Sequence, residues 1–219
     1  IVGLGKIGLR VARLCEAFGM NVIALVSNKS LRQKAPIRGV FVDTLEEMLP
    51  KVDFLSFHVP LTATTKEMLS KPQLVKMKPS AYIINTSRGN IVNEKDLYDA
   101  LVEKRIAGAA IDVYSKEPAK KEEYPFVSLP NVVALPHLGA STKESQSRTS
   151  RIIVQNIMEA LEHGTYFDAV NLPFNITITD AELYRPVIRL AKRLGQFAGS
   201  YFGKTPTTIT IKHRLEKID

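Results

Sequence analysis

The chain of 219 residues is 45% hydrophobic and 24% charged, with a net charge of +8 and one cysteine. That balance describes an ordinary soluble globular protein able to bury a sizeable core, one domain with additional elements. No apolar run approaches the ~20 residues that cross a bilayer, and no signal-peptide pattern opens the chain, so no membrane is expected. Cys15 lies in an apolar helical pattern and reads as a small core residue, with a reducing cytoplasm as the setting. The basic residues are scattered in short clusters (Lys71, Lys76 and Lys78; Lys116, Lys120 and Lys121; Arg189, Lys192 and Arg193) without interleaved aromatics. They read as solvated surface that draws in anionic small molecules, and no nucleic-acid partner is expected.

The chain opens at Ile1-Val2-Gly3, two residues of strand before a glycine loop, and reads as a piece that begins inside a structural element. Ile7, Val11, Leu14 and Phe18 then space as the inner face of a helix ending near Gly19. Residues 22–26 form a strand, and a short strand near 39–42 follows. It leads into the helix TLEEMLP, with Thr44 as N-cap and Glu47 at the capping-box position. DFLSFHV (53–59) is a strand, KPQLVKM a short helix, AYIINT (81–86) a strand, 94–104 a helix, and AGAAIDVY (107–114) and VVALP (132–136) strands. This alternation predicts a parallel sheet covered on both faces. A long helix runs from about 143 to 162 with Gly164 as its C-cap signal. AVNLPFNITITD is a connector, and 181–202 is a helix with Leu183, Val187, Leu190, Ala191, Leu194 and Phe197 on one face. TTITIKH alternates like a half-buried strand.

GLGKIG fits G-x-G-x-x-G with Gly3, Gly5 and Gly8. The first glycine permits a tight turn, the second lets the backbone approach a pyrophosphate, and the third lets helix and strand pack closely. The helix start offers free N–H groups and a positive dipole end. Because the motif follows an apolar pair and opens an amphipathic helix, nucleotide binding is expected. The following strand lacks the acid that usually closes this motif, since VIALVSNKSLR has Val26 there. Ser27, Asn28, Lys29 and Arg32 could instead hydrogen-bond a 2′-phosphate, so NADP is possible beside NAD. Three further groups stand where strands end. INTSRGN delivers Arg88, suited to a substrate carboxylate; IDVYSKEP carries Asp112 and Glu117; ALPHLGAST carries His137. Arg, Glu and His at one sheet edge form a coherent centre, because a carboxylate beside a histidine favours its charged form and histidine exchanges protons near neutrality.

At GLGKIG, HVPLT with Thr64 and Thr65, INTSRGN, AAIDVYSKEP and LPHLGAST, in this order, the chain resembles the D-isomer-specific 2-hydroxyacid dehydrogenase family. The resemblance covers nearly the whole chain and implies a Rossmann-type, doubly wound α/β fold. It implies that Arg88 anchors the substrate and that Glu117 pairs with His137, the proton donor or acceptor. Gly3, Gly5, Lys6, Ile7 and Gly8 would lie along the pyrophosphate of NAD, Ser27 by the ribose, and Val59 and Pro60 on the adenosine side. Thr86, Ser87, Arg88, Asp112 and His137 through Gly139 to Ala140 would surround the nicotinamide end. No metal is implied. The tail after AVNLP resembles the opening of an extra domain in the longer, phosphoglycerate-oxidising members. The implied reaction is therefore 3-phosphoglycerate oxidation on the path to serine. Glyoxylate or hydroxypyruvate reduction is the alternative among enzymes, and a nucleotide-sensing corepressor-like scaffold the alternative of another class. The implied layout is a dinucleotide-binding domain at 1–142, a linking helix at 143–171 returning toward a mostly absent substrate domain, and the start of a further α+β domain at 172–219. Lacking half of the cleft, the chain alone is expected to be inactive, and the whole protein to be a homo-oligomer acting on a small 2-hydroxy or 2-keto acid.

Overall fold

The computed structural model describes residues 1–27, 32, 35–171 and 181–202. Two compact units result, Ile1–Thr142 and Lys143–Asp219.

In the first unit the apolar runs become short parallel strands: β1 (Ile23–Leu25), β2 (Val40–Val42), β3 (Phe54–Phe57), β4 (Tyr82–Asn85), β5 (Gly108–Ile111) and β6 (Val132–Ala134). β1 pairs with β2, and β3 to β6 pair in chain order, every pairing parallel. Val2 forms parallel bridges to both Leu25 and Phe57, so the residue before the glycine loop stitches the two sets together. Between the strands lie α1 (Lys6–Ala17), α2 (Leu45–Met48), α3 (Lys71–Leu74) and α4 (Glu94–Val102). Parallel strands are joined by crossovers that cover both faces, and β3 and β5 each bury three of their four residues. The main core gathers Met48, Leu49, Leu55, Phe57, Ile83 and Phe126, all at most 1% exposed. A smaller cluster of Leu4, Ala12, Val22, Ala24 and Val26 lies beside α1.

Two sequence expectations need correction. Ile7, Leu14 and Phe18 do not form the inner face of α1: they are 69%, 60% and 83% exposed, while Gly8 and Ala12 are buried. The reason is steric. A Cβ at Gly8 would run into the carbonyl oxygen of Gly3, so the helix lies against the loop on its smallest residues and its bulky ones turn outward. Arg32, read as a ligand for a phosphate, is instead bonded to strand-end carbonyls and to Asp43. Cys15 is half-buried against the smaller cluster.

The caps follow their chemistry. The Thr44 hydroxyl oxygen accepts from Glu47 N (3.3 Å) and its O–H donates to Glu47 Oε1 (3.0 Å). At α3 Gln73 Oε1 accepts from Ser70 N (3.4 Å) and Oγ (2.8 Å), and Asn93 caps α4 by accepting from Asp96 N (3.0 Å).

The second unit, taken by itself, contains α5 (Lys143–His163) and α6 (Ala181–Phe202). Gly164 closes α5 at φ +59°, donating its N–H to Ala160 O (3.0 Å). On α6, Leu190, Leu194 and Phe197 are exposed; the side chains of Leu183 and Val187 lie outside the described residues, as do most of the connector and the expected strand TTITIKH. No helix among the described residues is long and apolar enough to cross a membrane.

Candidate functional site

The glycine loop joins Val2 to α1. Gly3 adopts φ +91°, and a side chain there would meet His58 O and Val59 Cγ1 at 2.7 Å. Gly3 and Gly8 are therefore required for packing, and Val59 is brought against the loop. Gly5 differs: a Cβ there would meet nothing within 4 Å. Gly5 is also the N-cap of α1, with no side-chain capping bond and no acid in the first turn. A helix start facing open space, uncapped and without negative charge, fits a pyrophosphate. Lys6 and Ile7 are exposed in that first turn, Ser27 is exposed beyond β1, and Pro60 is exposed with its carbonyl accepting from Thr65 Oγ1 (2.6 Å). Behind the loop, His58 bonds Ser56 Oγ through Nε2 (2.9 Å), and burial pushes its pKa below the usual histidine value.

The second group stands at the carboxyl ends of the neighbouring strands β4, β5 and β6, the edge where open α/β sheets bind ligands. After β4, the buried Asn85 shapes the turn that carries Arg88. Its amide nitrogen donates to Arg88 O (3.0 Å), and its Oδ1 accepts from Ser87 N (3.2 Å) and Oγ (3.0 Å). Thr86 is exposed in that turn. Gly89 packs where a Cβ would run into the Tyr114 carbonyl, so this turn and the loop after β5 lie in direct contact.

Beyond β5, Glu117 and His137 meet. Glu117 Oε2 lies 2.7 Å from His137 Nδ1, and Glu117 Oε1 accepts from Tyr114 N at 3.1 Å. Both side chains are partly open to solvent, 36% and 45% exposed. The bond to His137 holds the Glu117 carboxyl below the usual carboxylate range, helped by the Tyr114 amide and then by the charges of His137 and Arg88. Arg88 Nη1 donates to Ser87 O (2.6 Å), within the turn that packs against the loop after β5. His137 has φ +57°, a conformation uncommon for a residue with a side chain. The loop is held there by Asp112, 4% exposed, whose two carboxylate oxygens accept from Leu138 N (2.7 Å) and Gly139 N (3.1 Å). Asp112 thus directs its carboxylate onto the backbone of the His137 loop. Ala140 is exposed next to Gly139.

Tyr114, not singled out in the sequence, ties the two loops together. Its N–H holds Glu117, and its hydroxyl donates to Leu135 O (3.0 Å), two residues before His137. Burial raises the phenol pKa, followed by the charges of Asp112, Glu117 and Glu94, so the donor proton is retained. Glu94 adds a second anchor, accepting from Ser115 N (2.7 Å) and Oγ (2.6 Å). The one sequence signal for Tyr114 was an aromatic amid a run of small apolar residues at a strand end. Among the described residues, no group of three or more His, Cys, Asp or Glu side chains could hold a metal ion.

The chain is similar to known proteins in sequence and in fold. D-3-phosphoglycerate dehydrogenase of Methanocaldococcus jannaschii is 38% identical over 196 residues, 89% of this chain and 37% of that protein. The chain thus spans well under half the length of this curated relative. The NAD-complexed D-isomer specific 2-hydroxyacid dehydrogenase of Lactobacillus delbrueckii superposes with TM-score 0.69 at 30% identity, covering 78% of this chain and 55% of that one. The NADPH-dependent glyoxylate/hydroxypyruvate reductase of Sinorhizobium meliloti, with NADP and malonate, gives TM-score 0.70 at 32% identity over 80% of this chain and 54% of that one. Residues 1–139 match the family described as D-isomer specific 2-hydroxyacid dehydrogenase, NAD binding domain, and the chain belongs to that family.

Proposed function

We propose that the protein is an NAD-dependent dehydrogenase that oxidises a D-2-hydroxy acid, 3-phosphoglycerate, to the 2-keto acid. The observation that carries this reading is the 2.7 Å contact between Glu117 and His137 at the carboxyl edge of the sheet, with the turn that carries Arg88 packed against the loop after β5. The dinucleotide, held by Gly3, Gly5, Lys6, Ile7 and Gly8 with Val59 and Pro60 alongside, supplies the hydride acceptor. Arg88 binds the substrate carboxylate through its planar fork. Glu117 occupies His137 Nδ1 and so leaves Nε2 as the atom that takes the hydroxyl proton. As the proton arrives, the Glu117 carboxylate stabilises the imidazolium; as the C2–H bond breaks, its electron pair leaves as hydride and the C2–O bond becomes a carbonyl. In reduction His137 returns the proton.

Similarity to phosphoglycerate dehydrogenases along nearly all of the chain favours the phosphorylated substrate. Glyoxylate or hydroxypyruvate reduction is the second reading, favoured by the Sinorhizobium meliloti neighbour. In the same proposal, 1–142 is the dinucleotide-binding domain, 143–171 links to the substrate domain, and 172–219 opens a further domain, in a cytoplasmic homo-oligomer. The test is kcat/KM of the complete protein for 3-phosphoglycerate oxidation against glyoxylate and hydroxypyruvate reduction. A preference for 3-phosphoglycerate of tenfold or more is expected; a preference of that size for either other acid overturns the substrate assignment.

A further inference from the structure

The strand whose end usually carries the ribose-binding acid ends here in Val26, which is 5% exposed and belongs to the core. The register of the sheet offers a replacement. Leu25 of β1 pairs with Val42 of β2, and the residues that follow each strand, Val26 and Asp43, are both bonded by Arg32. Neighbouring strands lie about 4.8 Å apart. A carboxylate therefore stands at the same edge, one strand to the side of its usual place.

Arg32 keeps it there. Its Nε and Nη2 donate to Val26 O (3.1 and 2.9 Å), Nη2 also donates to Val42 O (3.0 Å), and Nη1 donates to Asp43 Oδ1 (2.6 Å). The guanidinium thus bridges the last carbonyls of both strands and presents its remaining side to Asp43. The arginine side chain is 20% exposed and the aspartate side chain 72%. Oδ2 of Asp43 has no hydrogen-bond partner among the described residues. Between these two described residues the cation is bonded to the protein and the anion faces solvent.

We propose that Asp43 selects the cofactor, supplying from β2 the carboxylate that Val26 lacks. It accepts from the adenosine ribose 2′-hydroxyl and repels a 2′-phosphate, while Arg32 is the arm that positions it. This rests on the nucleotide-binding reading of the glycine loop. It reverses the expectation that Arg32 itself welcomes the phosphate, because four of the five guanidinium N–H directions are already used.

The test is the dissociation constant of the complete protein for NAD and for NADP, by titration calorimetry, in wild type, Asp43→Asn and Asp43→Ala. Asp43→Asn keeps an oxygen for Arg32 and removes only the charge, so it preserves the fold; Asp43→Ala also removes the acceptor. Wild type is expected to bind NAD at least tenfold tighter than NADP. In both variants NADP binding should strengthen and the preference should shrink at least tenfold, with NAD binding weakened in Asp43→Ala. A ratio unchanged within twofold in both variants overturns the proposal, as does a wild type that prefers NADP. If wild type binds neither nucleotide, the nucleotide reading fails and the proposal falls with it.

Discussion

Replacing Tyr114 by Phe deletes one oxygen and leaves the ring where it is. The ring is 6% exposed and packs against Tyr124 and Phe126, with centroids 5.0 and 6.3 Å away, and none of those contacts involves the hydroxyl. What disappears is the bond to Leu135 O, which leaves a strand-end carbonyl without its donor. The net loss for such a bond is about 1 kcal/mol, rising to about 1–3 kcal/mol where the orphaned partner stays buried. Leu135 is 43% exposed, so water recovers part of it and the lower end, about 1 kcal/mol, is expected. For a unit of this size that corresponds to a Tm lower by about 2–6 °C. The loop carrying His137 loses its tie to the loop carrying Glu117, so kcat of the complete protein should fall while KM for the acid, set by Arg88, changes little. The pH dependence has a definite sign. The raised phenol pKa means Tyr114 adds stability below pH 10 that is lost as pH rises through the folded value, and the gap between wild type and variant should close there. Thermal unfolding at neutral and alkaline pH, with steady-state kinetics, reads all three. A Phe variant matching wild type in Tm and kcat would refute the claim that the hydroxyl couples the loops.

Glu117→Gln tests the other end of the network. The bond to His137 holds the Glu117 carboxyl below the usual carboxylate range, so its contribution is present above that range and vanishes as pH falls through the folded pKa. The Tm difference between wild type and Gln should be largest near neutrality and shrink in acid; a pH-independent difference contradicts it. Gly8→Ala sets helix propensity, which favours Ala by about 1 kcal/mol, against the clash with Gly3 O. The clash should win, costing about 1–3 kcal/mol and weakening NAD binding. A variant of higher Tm and unchanged Kd would show that α1 can shift freely.

The alternation of strands and helices was legible because these parallel strands are mostly apolar runs separated by polar, helix-patterned segments. Thr44 and Gly164 could be recognised from local chemistry alone. The inner face of α1 could not: spacing marks Ile7, Leu14 and Phe18, whereas the contact is decided by the closeness of Gly8 to Gly3, which no periodicity reports. At the site, Arg88, Glu117 and His137 could be named because each follows a strand and carries reactive chemistry. The residues that place them were hidden. Asn85 shapes its own turn through the backbone of Ser87 and Arg88, whereas Tyr114 and Glu94 act through backbone atoms of other loops, partners set by how the strands lie side by side. Arg32 shows the same limit: its residue type suggested a ligand's anion, but its acceptors are the chain's own, the Asp43 carboxylate and two strand-end carbonyls brought together by the pairing of β1 with β2.

The central claim is that the β4–β6 edge moves a proton through His137 while hydride leaves for NAD. It is tested most directly by the rate of NAD reduction with 3-phosphoglycerate in the complete protein, wild type against His137→Gln, with NAD affinity measured on both. In His137→Gln kcat is expected to be lower by about 10²–10⁴-fold, with Kd for NAD preserved within a few-fold. Equal turnover by the Gln variant would contradict it.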